Sequence, residues 1–195
     1  MIVIVDLDVG NLANVKKALD GEITADPAKI EQADKIVLPG VGNFGAALQK
    51  LDPFREPLLK AIEGGKPFLG ICLGMHLLFD KSEEGSGEGL GVLSGEVVKF
   101  KRVRTPHIGW NQVYSQKEGP LMANISDGSY FYFVHSYYVS PEDENVISGT
   151  TDYTFKGEQV KFPSIVRKDN VLGVQFHPEK SGSVGLRMLR NFKKL

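Results

Sequence analysis

The chain has 195 residues, of which 42% are hydrophobic and 24% charged, and its formal net charge is −1 at pH 7. This composition is typical of a soluble globular protein, and the balanced charge gives no electrostatic reason to expect nucleic acid or an anionic membrane as a partner. No segment approaches the roughly 20 apolar residues of a membrane-spanning helix, and a single cysteine cannot form an internal disulfide. The N-terminal residues lack the basic stretch of a signal peptide, so we expect a cytoplasmic protein.

Strand and helix patterns alternate in the first half of the chain. Apolar runs predict buried strands at 2–7, 34–39 and 67–71, the last of which leads directly to Cys72. Helical periodicity predicts helices at 11–19, 44–51, 53–62 and 73–79. Repeated strand–helix units of this kind predict an α/β fold with a doubly wound, mainly parallel central sheet and helices on both faces.

The second half of the chain has a different pattern, which begins after a polar, glycine-rich loop at 82–89. Short β-rich runs follow at 97–100, 109–114, 130–134 and 146–151, and residues 164–176 read as a hairpin. A helix at 181–192, with Ser181 available as its N-cap, closes the chain. We therefore predict a single domain over residues 1–195, with an additional antiparallel β-rich second half.

The most informative residue is Cys72, which lies between Gly70 and Gly74 at the corner of a predicted strand–turn–helix. This arrangement is typical of a nucleophile elbow, where a tight turn exposes the nucleophile and glycines two residues away avoid collisions. A thiol at a helix N-terminus also lies near unpaired N–H groups, which stabilise its thiolate. The alternative is a small buried hydrophobic residue, as most free cysteines are. The flanking glycines favour the nucleophile.

A cysteine nucleophile needs a base, and only His177 has an orienting acid at a suitable spacing. It follows a predicted strand, and Pro178 favours an extended backbone at His177. Positions i and i+2 of an extended chain project the same way, so Glu179 can bind one imidazole nitrogen and leave the other for Cys72. We predict a Cys72–His177–Glu179 triad, with a polar cap at a strand end as the alternative for His177.

Acyl chemistry also requires hydrogen-bond donors for an oxyanion. In elbow enzymes one donor is the backbone N–H after the nucleophile, here that of Leu73, and the second comes from an earlier strand-end loop. The loop 39–42 follows a predicted strand, and glycines on both sides of Val41 would let its peptide plane turn. We therefore predict an oxyanion hole formed by Val41, Gly42 and Leu73, with a plain turn as the alternative for the loop.

These motifs occur in the order found in class I, or triad, glutamine amidotransferases, and the chain resembles that family from Asp6 to Ser181. The shared core is Pro39-Gly40-Val41-Gly42, Gly70-Ile71-Cys72-Leu73-Gly74-Met75 and His177-Pro178-Glu179. Three further segments resemble the glutaminase subunits of imidazole glycerol phosphate synthases. They are Pro-His-Ile-Gly-Trp-Asn at 106–111, Tyr-Phe-Val-His-Ser-Tyr at 132–137 and His-Pro-Glu-Lys-Ser at 177–181.

The resemblance implies a glutaminase of histidine biosynthesis that pairs with a separate (β/α)₈ cyclase subunit as a heterodimer. Cys72 would attack the side-chain amide carbon of glutamine, and His177 would protonate the departing ammonia and then activate water. The ammonia would pass to the cyclase and react with a phosphoribulosyl-formimino aminoimidazole ribonucleotide. Because a free glutaminase would waste glutamine, we expect low activity alone and activation by the cyclase with its nucleotide, with the Val41 peptide as the switch.

The resemblance also implies which side chains contact glutamine. Glu84 matches a family position that contacts this substrate, and a neighbouring stretch lies near the same site: His135, Ser136 and Tyr137. His76 stands where the family usually has glutamine, one helical turn after Cys72, so it should still face the substrate and a ring N–H could replace the amide donor. Cys72 and His76 are too few ligands to predict a metal, and we expect neither a metal nor a cofactor.

Three residues would lie at the face towards the cyclase: Asn11, Trp110 and Lys180. For Trp110 the alternative is an ordinary core aromatic. The family usually has Tyr-Gly after its first aspartate, whereas this chain has Leu7-Asp8, so the details of that interface are expected to differ.

Other interpretations remain open. Another triad glutaminase, such as the subunit serving pyridoxal phosphate synthesis, would share the core motifs, although segment 106–111 and the lack of a Gly-Gly-Glu-Ser-Thr loop argue against it. A cysteine peptidase-like member of the same fold class would not require the His-Pro-Glu motif. From a different class, the chain could be a non-catalytic binding partner, or a redox sensor that uses Cys72.

Overall fold

The computed structural model describes residues 1–8 and 12–195. Its strands are β1 (Ile2–Val5), β2 (Glu22–Thr24), β3 (Lys35–Gly40), β4 (Phe68–Cys72), β5 (Phe79–Ser82), β6 (Leu93–Lys99), β7 (His107–Ser115), β8 (Ser129–His135), β9 (Tyr137–Pro141), β10 (Ile147–Phe155), β11 (Glu158–Lys168) and β12 (Val171–Val174). Its α-helices are α1 (Leu12–Leu19), α2 (Ala28–Gln32), α3 (Phe44–Glu63), α4 (Leu73–His76) and α5 (Gly182–Lys193).

A mixed nine-stranded sheet forms the centre of the fold. Its order is β2-β1-β3-β4-β12-β11-β10-β7-β8. The strands from β2 to β12 pair in parallel, whereas those from β12 to β8 pair antiparallel. A smaller sheet, β5-β6-β9, lies beside it. The predicted α/β class, with a parallel doubly wound part and an antiparallel second half, is confirmed.

Helices cover both faces of the parallel part of the sheet. Buried residues of α1 and α5 pack with Ile4 and Ile71 on one face, and those of α2 and α3 pack with Val3, Ile36 and Leu38 on the other. Adjacent residues of β1 thus belong to opposite clusters, as the alternation of side chains along a strand requires. Strand β4 lies between β3 and β12, so its carboxyl end opens at the middle of the sheet.

Helix α3 differs from the prediction, because 44–51 and 53–62 form one helix rather than two. Pro53 and Pro57 lie inside it, and an interior proline costs about 3 kcal/mol through a lost hydrogen bond and a steric clash. The buried residues nevertheless recur every three or four positions along the whole helix: Phe44, Ala47, Leu51, Phe54, Leu58 and Ala61. Each large apolar side chain contributes about 1.5–3 kcal/mol on burial, which offsets the cost of the prolines.

Helix α4 is shorter than predicted, because it ends at His76 and not at residue 79. The carbonyl groups of Leu77 and Leu78 accept hydrogen bonds from the backbone N–H groups of Leu90 and Leu93, at 2.7 and 3.0 Å. These bonds join the segment to the chain before β6 instead of continuing the helix. The apolar periodicity at 73–79 therefore reflects burial on all sides and not a long helix.

Four short strands and helices were not predicted from the sequence: β2, α2, β5 and β9. Ser181 precedes α5 as expected, but its side chain makes no capping bond and its hydroxyl instead donates to the carbonyl oxygen of His177 at 2.6 Å. None of the helices in the described part of the chain is long and apolar enough to cross a membrane.

Candidate active site

Cys72 occupies a strained turn between β4 and α4. Its backbone has φ 53° and ψ −107°, a conformation that non-glycine residues rarely adopt. A Cβ at Gly74 would lie 1.7 Å from the Leu38 carbonyl oxygen, and one at Gly70 would lie 2.6 Å from the Gly74 carbonyl oxygen. Both contacts are far too short, so the turn requires glycine at both positions, as predicted. The elbow geometry is therefore present, and it places the thiol at the carboxyl end of a central strand.

His177 and Glu179 form a buried pair after β12. The Nδ1 atom of His177 lies 2.9 Å from Oε1 of Glu179, and both side chains are almost completely buried. A carboxylate can only accept, so Nδ1 carries a proton and Nε2 is left for another group. Among the described residues, His177 Nε2 and Glu179 Oε2 have no hydrogen-bond partner. The structure thus brings together a histidine and an acid in the predicted manner.

The electrostatics of His177 depend on its neighbours. Burial alone lowers the pKa of His177, but the negative charge of the adjacent Cys72 sulfur, followed by the bond to Glu179, raises it to about 10. Because Nε2 has no hydrogen bond of normal geometry, we attribute the contribution of Cys72 mainly to charge. A thiolate and an imidazolium facing one another can supply both a nucleophile and a proton donor at neutral pH.

A cleft of about 330 Å³ opens beside Cys72, which is a suitable size for an amino acid. All of the residues predicted for oxyanion and glutamine binding line it: Val41, Gly42, Leu73, His76, Glu84, His135, Ser136 and Tyr137. Val134 and Lys180, the latter predicted for the partner face, line it as well. A larger cavity of about 720 Å³ is lined by residues such as Lys117, Met122 and Arg167, and it contains none of the predicted site residues. We therefore place the candidate site at the smaller cleft.

The predicted oxyanion loop lies against the elbow. Gly40 ends β3 and packs so closely on Leu73 that an added Cβ would lie 3.1 Å from the Leu73 Cβ. Gly42 has φ +113°, a value that favours glycine. The loop and the first residue of α4 thus border the same side of the cleft. Their hydrogen-bonding role remains a prediction.

Glu84 reaches the cleft from the loop 82–89 and is also bonded to the start of α3. Its Oε2 atom accepts a hydrogen bond from the Phe44 backbone N–H at 2.8 Å, and its carbonyl oxygen accepts one from Asn43 Nδ2 at 3.2 Å. Burial raises the pKa of Glu84, while the bond from Phe44 acts in the opposite direction. One carboxylate oxygen is therefore fixed by the protein, which holds this acidic side chain at the edge of the cleft.

His135 lies in the wall of the cleft, and both of its ring nitrogens have protein partners. Nδ1 lies 2.8 Å from the Tyr137 carbonyl oxygen, and Nε2 lies 3.2 Å from Nδ1 of the buried His107. His107 Nε2 is in turn 3.3 Å from Asn111 Nδ2. Burial lowers the pKa of His107 to about 4 and that of His135 well below 6.5. If both rings are neutral and protonated on Nδ1, all three hydrogen bonds from Asn111 through His107 and His135 to the Tyr137 carbonyl oxygen are satisfied.

Gln175 is a site residue that the sequence interpretation missed. It is fully buried, and its Nε2 atom lies 3.7 Å from the Cys72 sulfur while its Oε1 atom lies 2.8 Å from His76 Nε2. Burial lowers the pKa of His76 to about 4, although the bond to Gln175 acts in the opposite direction. The available signal was the spacing from His177, because i and i+2 project the same way in an extended chain.

The outer face of the β7–β8 pair carries exposed apolar side chains. Trp110 is 54% exposed, and Ile108 and Tyr130 are 60% and 55% exposed. Trp110 makes an edge contact with Tyr132, with ring centroids 6.1 Å apart. The alternative of a core position for Trp110 is therefore wrong. Asn11, the third residue predicted for the partner face together with Trp110 and Lys180, lies outside the described residues.

Solved structures of other proteins have the same fold as this chain. The structure of PurLQS from Thermotoga maritima has a TM-score of 0.76 at 18% identity, and covers 98% of this chain and 96% of that one. A crystal structure of a glutamine amidotransferase has a TM-score of 0.71 at 19% identity, and covers 99% of this chain and 97% of that one. At such identities the likeness concerns the fold alone.

Sequence comparison defines the family. The family model for class-I glutamine amidotransferases matches residues 10–195. The chain therefore belongs to the class-I glutamine amidotransferase family. Its relatives include the imidazole glycerol phosphate synthase subunit HisH of Thermococcus kodakarensis, at 63% identity over all of both chains. The HisH subunits of Pyrococcus furiosus and Methanocaldococcus jannaschii are 61% and 49% identical, over all of this chain and 98% and 100% of theirs.

Proposed function

We propose that this chain is the glutaminase subunit of an imidazole glycerol phosphate synthase and acts in histidine biosynthesis. It hydrolyses glutamine to glutamate and ammonia through a Cys72 thioester. The observation that carries the proposal is the strained Cys72 elbow beside the buried His177–Glu179 pair, at a cleft of amino-acid size. The HisH relatives, which match over the full chain, support the choice among amidotransferases. A cytoplasmic location and a single domain over 1–195 remain predictions.

The first half-reaction forms the thioester. The Cys72 thiolate attacks the side-chain amide carbon of glutamine, and the negative charge that develops on the amide oxygen is stabilised by the Leu73 N–H and the peptide at Val41 and Gly42. The tetrahedral intermediate collapses when the C–N bond breaks. The imidazolium of His177 gives its Nε2 proton to the departing nitrogen, so ammonia leaves and the ring becomes neutral.

The second half-reaction releases glutamate. Nε2 of the neutral His177 ring takes a proton from water as the water oxygen attacks the thioester carbonyl carbon. Cleavage of the C–S bond then releases glutamate and regenerates the thiolate beside an imidazolium. Glu179 keeps the proton of Nδ1 in place throughout, so Nε2 is always the atom that exchanges protons.

Charge and shape support glutamine as the substrate. The half-buried Glu84 carboxylate offers a counter-ion for the α-ammonium group, and one of its oxygens is already fixed by Phe44. Ser136 and Tyr137 add polar groups to the same cleft. We expect His76 to contact the substrate through Nδ1, because its Nε2 atom is bonded to Gln175.

We propose that the partner is a (β/α)₈ cyclase that binds over the mouth of the cleft. The exposed face of β7 and β8 supports this placement, because Ile108 and Trp110 form an apolar surface that continues to Val134 at the cleft. Lys180 lines the cleft itself, and Asn11 is assigned to the same face on the resemblance. A seal at this position would direct ammonia into the partner and keep it out of solvent.

The proposed chemistry is tested by an electrophilic glutamine analogue followed by mass spectrometry. We expect one covalent adduct on Cys72, and none in the Cys72→Ala variant. A circular-dichroism spectrum establishes that each protein is folded. If the folded wild-type chain forms no adduct, even with the cyclase and its nucleotide present, the enzyme assignment is wrong.

The proposed partnership is tested by glutamate release with and without the cyclase and nucleotide. We expect low activity alone and strong activation in the complex, and weaker activation in Trp110→Ala. The matched control is Leu186→Ala, which removes a partly exposed apolar side chain from α5. Equal rates with and without the partner would contradict the coupling, and equal losses in the two variants would contradict the placement.

A further inference from the structure

We propose that Gln175 is a further catalytic residue, whose side-chain amide donates a hydrogen bond to the Cys72 sulfur, and that His76 is a positioning residue that holds this amide in the donating orientation. The inference rests on the proposed function for the identity of the substrate, but not for the contact between Gln175 and sulfur. It assigns a role in catalysis to Gln175, which lies two positions before His177, and to His76.

The Gln175 side chain is held at both ends. Nε2 lies 3.7 Å from Cys72 Sγ, within the range of a hydrogen bond to sulfur, and Oε1 lies 2.8 Å from His76 Nε2. The Gln175 backbone N–H also donates to the Ser164 carbonyl oxygen at 3.0 Å. The residue is completely buried and does not line the substrate cleft. It therefore contacts the reacting sulfur from behind, on a side that glutamine does not reach.

The partner of Oε1 determines which end of the amide faces the sulfur. A carbonyl oxygen can only accept, so the bond to His76 requires a proton on the ring Nε2. The NH₂ group then points towards Cys72, where it favours the thiolate. The reverse orientation would place an oxygen against the sulfur and would repel a thiolate. His76 thus sets whether the sulfur meets a donor or an acceptor.

This orientation is preserved over a wide range of pH. Burial lowers the pKa of His76 to about 4, so the ring is neutral near pH 7 with its proton on the nitrogen that faces Gln175. Protonation at lower pH adds a proton to Nδ1 and leaves the Nε2–H bond unchanged. The amide of Gln175 therefore remains a donor to sulfur on both sides of that titration.

The amide differs from His177 in one respect that matters for catalysis. His177 gives up its Nε2 proton when ammonia leaves and regains it from water, so its support of the sulfur changes during the cycle. Gln175 never loses its protons, so the sulfur keeps one donor through both half-reactions. This contact stabilises the thiolate as the nucleophile and again as the leaving group.

The first test measures the rate of Cys72 alkylation by iodoacetamide against pH. The charged or titratable groups around the sulfur that shape this profile are His177, Glu179, His76, His135, Tyr137, Glu84 and Lys180. In Gln175→Glu, an acceptor of the same shape faces the sulfur, so we expect the midpoint to move up by about one pH unit or more. Gln175→Leu, which lacks a donor, should move it in the same direction by less.

The second test separates a positioning role from a structural one at His76. His76→Phe removes the ring N–H and should raise the alkylation midpoint, whereas His76→Gln offers an amide N–H at a similar distance and should restore it. The matched control is Ser164→Ala, a buried change beside Gln175 that does not touch Cys72, and it should keep the wild-type midpoint.

A measurement on the wild-type chain does not depend on whether variants fold. The side-chain ¹⁵N–¹H₂ resonances of Gln175 should shift with pH together with the onset of alkylation, and the shift should vanish in Cys72→Ala. In the complex with cyclase, Gln175→Leu should lower kcat about tenfold or more with KM nearly unchanged, because the residue does not line the cleft.

The outcomes of these tests are distinct. The inference would be overturned if both Gln175 variants kept the wild-type midpoint for alkylation, or if the pH-dependent shift of the Gln175 amide resonances persisted in Cys72→Ala. Either result would leave the glutaminase assignment intact. A wild-type complex that releases no glutamate would overturn the proposed function, whereas the alkylation profile would still decide the contact between Gln175 and sulfur.

Discussion

Of the buried histidines near Cys72, His177 and His76 have pKa values that move in opposite directions. His177 is raised to about 10, whereas His76 is lowered to about 4. Burial lowers the pKa of both, so burial does not explain the difference. His177 faces the Cys72 sulfur and the Glu179 carboxylate, but His76 faces a neutral amide. The chemical partner therefore determines which ring is a charged proton donor and which is a neutral orienting group.

The opposite pKa shifts of His177 and His76 change the free energy of unfolding in opposite pH ranges. The raised pKa of His177 gives a stabilisation that is present below pH 6.5 and is lost as the pH rises through about 10. The lowered pKa of His76 gives a stabilisation that is present above pH 6.5 and is lost as the pH falls through about 4. These two groups together favour the folded state most near neutral pH.

Replacing His177 should cause the largest loss of activity. His177→Asn removes the group that protonates ammonia and activates water, and general acid–base catalysis contributes about 10²–10⁴-fold. We expect glutamate release in the complex to fall by about that factor. Glutamine binding, measured by calorimetry, should change much less because His177 does not line the cleft. A loss of less than tenfold would contradict the assigned role.

Replacing Glu179 should bring the pKa of His177 closer to that of His76, while both imidazole rings remain in place. Glu179→Gln takes away the carboxylate charge, so the pKa of His177 should fall below 10 yet stay above that of His76, because the charge of Cys72 remains. We expect glutamate release to drop about a hundredfold, since the Nδ1 proton is less firmly held. Histidine NMR titration checks the first effect, and the exposed Glu158→Gln serves as the control. An unchanged pKa of His177 would count against the pairing.

Removing the imidazole ring at position 76 should reduce the dependence of stability on pH. Wild-type protein loses about 2 kcal/mol of unfolding free energy between pH 7 and 4.5 through His76 alone, because the unfolded state binds a proton that the folded state does not. The decrease over that pH interval should be smaller by this amount in His76→Phe. Urea denaturation of both proteins at the two pH values measures it. An identical decrease in the variant would show that His76 is not neutral in the folded protein.

The smallest effect is expected at Ser181, which holds the His177 turn against β8. Its hydroxyl donates to the His177 carbonyl oxygen at 2.6 Å and accepts from the Tyr132 N–H at 3.0 Å. Ser181→Ala leaves that N–H without its partner and should cost about 1 kcal/mol of unfolding free energy. Glutamate release should change less than tenfold, because Pro178 still restrains the turn. A hundredfold loss would mean that the hydroxyl positions His177 far more strongly than the bond suggests.

The parts of this site that the sequence predicts are encoded in short segments. The elbow at Cys72 and the His177-Pro178-Glu179 turn each lie within a few residues at the end of a strand, so steric and spacing rules apply directly. The contact of Gln175 with Cys72 spans 103 positions, and no local pattern reports it. The lowered pKa of His76 arises from burial in the assembled fold, which a linear sequence does not display.

The fold likewise has features that local sequence predicts and features that only tertiary contacts decide. The repeated strand–helix units predict the parallel half of the sheet because each unit is locally periodic. The continuity of α3 through Pro53 and Pro57 depends on the apolar face that it buries, and the early end of α4 depends on backbone bonds from Leu90 and Leu93. Both differences are decided by tertiary contacts that override local preference.

The β7–β8 pair has a consequence for how this chain can vary. Trp110 and Ile108 project outwards, while His107 and Asn111 project inwards to the chain of bonds that supports His135. Because side chains alternate along a strand, inserting one residue into β7 would exchange these two faces. A single insertion would therefore bury the indole, expose the imidazole and disturb both the partner surface and the cleft wall, whereas an insertion of two residues would preserve the alternation.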